Sequence, residues 1–482
     1  MMGLDTIGVC AGGRTVGLRR PRVIAAIALV AGLGAPAIAA AAPGVVKLGD
    51  TQLDATALYF VSFDGLVNNA SYQQSAILSH AGFQYAAWYA ASRAAVVARR
   101  RLPAGAWETV VLPHLLSTDD SHNSISLGVS PTDGRLHVAM DTHDTTVFYI
   151  KSEAGLVSDP GNRTWVASRF GAVQRTLDGV ELGTITYPQF VVTPEHELQL
   201  SYRTGRSGAG TMELAEYTTS WRTLGAWSAG TGSYTQHGQT STSRNLYLHG
   251  LQYGPDGRLH AAFTWREDNA AVMCSAGGLA NHDTGYVVSD DRGRTWRNNA
   301  GQLVATTGSA PQVAVGSAGL VVDPLNVDHA LINQESEAID STGAPHVVIS
   351  YVPGRFTQCV SAFVAQRQQF ARPFHLTRNA QGAWTKFEIP VALGAFGRSQ
   401  IVLDAANNAY VVLPFGRVVS ASAASGWTDW TVQFDGAGLG AFGEVVVDRE
   451  RVASEGVLSI LYQRSSTGTT PSPIRVIDLR LD

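Results

Sequence analysis

A chain of 482 residues that is 45% hydrophobic and 15% charged, with 50 glycines and 10 tryptophans, has the make-up of a globular protein built from short strands and tight turns. An intrinsically disordered chain is excluded. The formal net charge of -4 supplies no basic tract to release counterions from a nucleic acid and no polybasic cluster for a membrane surface, so neither is expected as a partner.

At the N-terminus Arg19, Arg20 and Arg22 precede an apolar run from Val23 to Leu33 and then the small-residue pattern Ala37-Ile38-Ala39. This order predicts a signal peptide over residues 1–39, cleaved near Ala39, and a secreted or periplasmic mature protein. Leu18 and Pro21 fit a twin-arginine signal poorly, and the apolar run is too short to cross a hydrocarbon core of about 30 Å. No linker divides the remainder, so residues 45–482 are expected to form one domain.

Along that domain, short alternating or wholly apolar runs recur where helical periodicity is absent. They begin near Phe83 (FQYAAWYA), Arg135 (RLHVAMDT), Glu197 (ELQLSYRT), Arg258 (RLHAAFTW), Ala344 (APHVVISYV), Ala409 (AYVVLPFG) and Val457 (VLSILYQ). The turns Asp133-Gly134-Arg135 and Asp256-Gly257-Arg258 repeat almost letter for letter. Several units close on a tryptophan, as at Trp107, Trp165, Trp384 and Trp427. Repeated four-stranded units predict an all-β fold, a seven-bladed β-propeller. The strand Ile474 to Leu479 is expected to help shut the ring, because an open ring leaves an unpaired edge.

Ser289-Asp290-Asp291-Arg292-Gly293-Arg294-Thr295-Trp296 fits the Ser-x-Asp-x-Gly-x-Thr-Trp pattern of the Asp-box, in which Asp caps a tight hairpin and Trp packs inward. His137, His260 and His346 occupy equivalent places in the repeated unit and read as scaffold. Cys274 and Cys359 are read as a disulfide or, with His282 and perhaps His375, as a structural metal site.

Polar residues out of keeping with a scaffold gather in two stretches. Asp120-Ser121-His122-Asn123 pairs with Asp141-Thr142-His143-Asp144, and Thr186-Tyr187-Pro188 pairs with Ser201-Tyr202-Arg203-Thr204. A strand–turn–strand return would bring His122 and His143 to one rim, and Tyr187 and Arg203 to the same mouth. Tyr247 and His249 are weaker candidates for binding.

The motifs DSHN, DTHD, TYPQF and SYRTG, with NHD at Asn281 to Asp283, resemble those of the BNR-repeat (Asp-box) propeller polysaccharide lyases, the ulvan lyases and rhamnose–glucuronate lyases. That resemblance implies β-elimination on an acidic polysaccharide by His122, His143, Tyr187 and Arg203. Arg203 would grip the uronate carboxylate at two points, and Tyr187 and the histidines would move protons. It implies a monomer that needs no cofactor for catalysis, with a structural zinc or calcium ion left open. A sialidase-like hydrolase and a non-catalytic sugar-binding propeller are the rival readings. The first would call for three arginines around a carboxylate and an Arg-Ile-Pro signature near the mature N-terminus, which this sequence lacks.

Overall fold

The computed structural model describes residues 42–73 and 75–482. The predicted signal segment, residues 1–39, lies outside the described residues. Regular structure there is almost entirely strand, with α-helices only at Phe363–Phe370 and Arg449–Glu455.

Each of the seven apolar runs becomes a strand of a different antiparallel sheet: Phe83–Tyr89, Arg135–Met140, Leu198–Thr204, Leu259–Glu267, Pro345–Tyr351, Ala409–Leu413 and Val457–Gln463. Such runs are continuous rather than alternating because both faces of the sheet are covered. Tyr85, Ala87 and Val97 pack against Leu127, Leu136 and Val138 of the following sheet. The opposite face of the same sheet, carrying Ala86, Trp88 and Val96, packs against Val446, Leu461 and Val476 near the other end of the chain. The same two-sided packing joins each sheet to the next around a ring. This is an all-β propeller.

One expectation is corrected. The seven blades expected are not found: six sheets have four strands or more and make six blades, whereas Ser126–Ser130, Arg135–Met140 and Phe148–Lys151 form a sheet of only three. The outer position is held by irregular chain that meets this sheet through an isolated bridge between Tyr149 and Gln174. Gly155, Pro160 and Gly161 interrupt the run that a fourth strand would need. Trp165 and Phe170 then fold inward to fill the space.

The ring is shut by Val45–Ala57 pairing antiparallel with Ser472–Leu481, from Val45 opposite Leu481 to Ala57 opposite Ser472. The run Ile474 to Leu479 lies in the middle of this ladder.

At Ser289 to Trp296 the Asp291 carboxylate accepts from the backbone of Arg294 (3.1 Å) and Thr295 (2.7 Å) and from the Thr295 hydroxyl (2.6 Å). Gly293 has φ +78, and a Cβ there would lie 2.6 Å from Leu214. Only glycine meets both demands. Trp296 is buried and stacks on Trp227 of the preceding blade, with ring centroids 4.5 Å apart.

His137, His260 and His346 are all buried, and each bonds to a ring on the adjacent strand: Tyr149 (2.7 Å), Tyr286 (2.5 Å) and His375 (2.9 Å). Their shared place in the repeat thus has a shared packing role.

The proposed metal set Cys274, His282 and Cys359 is corrected. The two cysteines are joined in a disulfide, so neither sulfur is a thiolate ligand. His282 instead bonds to Glu267 and Asp283, each at 3.0 Å, and stacks on Tyr234. The bridge closes a span of 85 residues. Loops of this order gain about 4 kcal/mol from a cross-link in the chain-entropy account. A Cys274→Ser/Cys359→Ser protein should therefore melt several degrees below the parent, and dithiothreitol should lower the parent Tm but not that of the variant.

Candidate active site

The central feature is one carboxylate shared by two imidazoles. Asp120 accepts from Nδ1 of His122 at 2.6 Å and from Nδ1 of His143 at 2.7 Å, and also from the His122 backbone at 2.9 Å. Burial alone would raise the Asp120 pKa, but the two imidazole hydrogen bonds outweigh it and hold the carboxyl well below the usual range. An ionised carboxylate only accepts, so both Nδ1 atoms carry a proton, which leaves Nε2 as the site of the lone pair in the neutral tautomer. Burial lowers the pKa of His122, and His143 and Arg398 act in the same direction against Asp120. His122 is therefore a neutral imidazole at neutral pH.

The two rings stack with centroids 4.4 Å apart, and Tyr72 lies on the other side of His122 at 5.4 Å. Tyr72 is fixed by its hydroxyl, which donates to the Ser121 carbonyl (2.6 Å). The loop before His143 is anchored by Asp141, which accepts from His114 and from Ser117. The return of strand Arg135–Met140 thus delivers His143 beside His122, as the sequence spacing predicted.

Tyr187 reaches the same place by a backbone irregularity. In the pairing of Ile185–Val192 with Leu198–Thr204, Thr186 faces Arg203 and Gln189 faces Ser201, so the ladder bulges at Tyr187 and Pro188. Tyr187 has φ +55, a costly conformation for a bulky residue. The bulge re-aims the ring into the cleft. Its hydroxyl has no hydrogen-bond partner among the described residues. Burial raises its pKa and Tyr247 adds to this, while Arg203, Arg398 and Arg266 pull it back, so the phenol stays protonated at neutral pH.

Arg203 is 1% exposed along its side chain and is already engaged. Nη2 donates to Asp144 (2.7 Å) and Thr186 (3.0 Å), and Nη1 donates to the Tyr247 hydroxyl (2.9 Å). Both terminal nitrogens thus have a partner within the protein, whereas the buried Nε makes no hydrogen bond among the described residues. The guanidinium lies over Tyr187, 5.3 Å from the ring centroid.

Two arginines missed in the sequence line the cleft as well. Arg398 is tied to Glu444 (2.8 Å) and Asn333. Arg266 is half-buried, and its guanidinium makes no hydrogen bond or ion pair among the described residues. It lies 6.0 Å from the Tyr247 ring centroid.

His122, His143, Tyr187, Arg203 and Tyr247 all border one cleft of about 440 Å³. Its far wall is apolar, from Leu279, Phe363, Val364 and Phe396. His249 is corrected as a binding residue. The register slips between Leu248 and Gly250, which turns His249 out of the alternation that carries Tyr247 to the cleft. Its Nδ1 accepts from the Glu335 backbone at 3.1 Å in the buried interior.

The sequence profile of the BNR repeat-containing family matches residues 83–391, more than half of the chain. The chain belongs to the BNR repeat-containing family. The fold of this BNR repeat protein is similar to that of the polysaccharide lyase Uly1, with a TM-score of 0.68 and 17% identity over 91% of this chain and 100% of that one. It is also similar to a PL25 ulvan lyase bound to -[GlcA(1-4)Rha3S]-, with a TM-score of 0.61 and 11% identity over 90% of this chain and 95% of that one. Comparison of the BNR repeat protein with curated protein sequences finds no match.

Proposed function

We propose that this BNR repeat protein is a polysaccharide lyase that cleaves a uronate-containing polysaccharide, of the rhamnose–glucuronate type, by β-elimination. The observation that carries this reading is the Asp120 carboxylate holding two imidazoles by Nδ1 beside a protonated, hydrogen-bond-free tyrosine. Elimination needs a base for the C5 proton, an acid for the O4 leaving group and a counter-charge for the carboxylate.

Nε2 of His122 takes the C5 proton. The electron pair forms the C4–C5 double bond as the C4–O4 bond breaks, and the Tyr187 hydroxyl gives its proton to O4. His143 braces Asp120 from the other side. Arg266, whose guanidinium makes no hydrogen bond or ion pair among the described residues, meets the substrate carboxylate, and Arg203 holds Tyr247 and Asp144 in place. Export, as the predicted signal segment implies, would bring the enzyme to a polymer outside the cell.

The test is ultraviolet absorbance of the unsaturated uronate on mixing the protein with ulvan and other uronate polysaccharides. A rising signal supports elimination. New reducing ends without that signal favour hydrolysis, and retention on the polymer without cleavage favours a sugar-binding propeller.

The two arginines should separate in the same assay. Arg266→Gln should lose about 100-fold or more in kcat/KM with little change in Tm, because no hydrogen bond or ion pair among the described residues is lost. Arg203→Lys should lose stability as well, since Thr186 and Tyr247 are buried and each buried partner left unpaired costs about 1–3 kcal/mol. Equal melting of parent and Arg203→Lys would show that the contacts around Asp144 and Tyr247 do not hold the fold.

A further inference from the structure

We propose that the cleft extends into a longer polysaccharide-binding track, which runs from His122 across Phe63 into the open groove beside Tyr59, Val61 and Phe442, so that sugars beyond the one that reacts are also held. This rests on the lyase reading above. The groove has a volume of about 570 Å³.

Three separate stretches of chain border both hollows within a few residues. Tyr59 to Val61 line the groove and Phe63 to Gly65 the cleft; Asp119 lines the groove and Ser121 and His122 the cleft; Phe442 lines the groove and Glu444 the cleft. The two hollows are therefore neighbours, separated by only one to three residues along each of these stretches.

Phe63 stands at the junction. It is 67% exposed, yet it contacts the His122 ring edge-on, with centroids 4.7 Å apart. Phe63 and Asp64 have φ +49 and +59, a strained conformation for an aromatic residue that gains little by burial. The strain is held in place: Ser62 and Gly65 exchange backbone hydrogen bonds, and Ser121 bonds to both the hydroxyl and the carbonyl of Ser62. The turn that displays Phe63 is thus fastened to the loop that carries His122.

An exposed ring kept at conformational cost beside a reacting centre suits the apolar face of a sugar. Val61, 48% exposed, extends the apolar strip. Asp119 on the groove wall is paired with Arg93, which offsets its charge against an anionic polymer.

The test compares the parent, Phe63→Leu, Phe63→Trp and Val61→Asp on ulvan and on a tetrasaccharide cut from it. Val61→Asp, a change in the groove and not in the cleft, should raise KM for the polymer about tenfold with kcat and the tetrasaccharide KM little changed. Phe63→Leu should also raise the polymer KM, and Phe63→Trp should leave it near the parent value. An unchanged polymer KM in Val61→Asp, or an equal effect of that variant on both substrates, would overturn the track. If the parent makes no unsaturated product, the lyase reading fails on its own. The track is then judged by retardation in ulvan-containing gels, where slowing of the parent but not of Phe63→Leu supports it and equal slowing of both overturns it.

Discussion

Tyr187→Phe should abolish formation of the unsaturated product, with a loss of about 100- to 10,000-fold in kcat and no loss of thermal stability. General acid or base groups typically contribute a factor of this size. The substitution removes one hydroxyl that makes no hydrogen bond among the described residues, so no buried partner is stranded. The ring, its contacts with Tyr72 and Tyr247 at 5.3 and 6.2 Å, and the bulge that aims it are kept. Turnover at the parent rate would remove Tyr187 as the acid. A large fall in Tm would show that the hydroxyl has a structural role.

Asp120→Asn should be nearly as damaging, and it carries a second signature in the pH profile. The amide presents an NH2 to one of the two imidazoles, so one ring must give up the tautomer that places its lone pair on Nε2. A loss of about 1,000-fold or more is expected, in line with other carboxylates that orient a histidine. The base works only when unprotonated, so activity falls as pH drops through the His122 pKa, which already lies below the ordinary imidazole value. Asp120 raises that pKa, and removing its charge lowers it further. The acid limb of kcat/KM should therefore move to lower pH in the variant, even as the plateau collapses. A limb that moves to higher pH, or stays in place, would separate it from His122.

Much of the fold was legible because both faces of each blade are buried, which leaves runs such as VLSILYQ almost without polar residues. The three-stranded sheet was hidden for an equally local reason. Thr164-Trp165-Val166 resembles Ala106-Trp107-Glu108 and Gly382-Ala383-Trp384, which lead into strands, but Trp165 packs inward from a loop that no strand follows closely.

In the site, His122, His143 and Tyr187 stood out because polar side chains interrupt otherwise apolar repeat units. Arg266 did not, since it follows RLHAAFTW and reads as the polar end of a scaffold strand. An arginine at the end of a repeat strand, as at Arg203, was the available signal. Tyr72, Arg398 and Glu444 come from other sheets and share no local pattern with the motifs, so only the closed ring brings them together. His249 misled because a one-residue slip in register reverses which side chains face the cleft.

The pairing of Val45–Ala57 with Ser472–Leu481 also governs when the cleft is complete. Contacts between segments so distant in sequence form late, because the entropy of closing the intervening loop must be met before they contribute. His122, His143 and Tyr187 belong to neighbouring sheets early in the chain and can assemble locally. Arg398 and Glu444, which also line the cleft, directly precede strands of the final two sheets. A nascent chain therefore carries its imidazole pair well before it has an enclosed cleft, which is whole only when the circle of blades is complete.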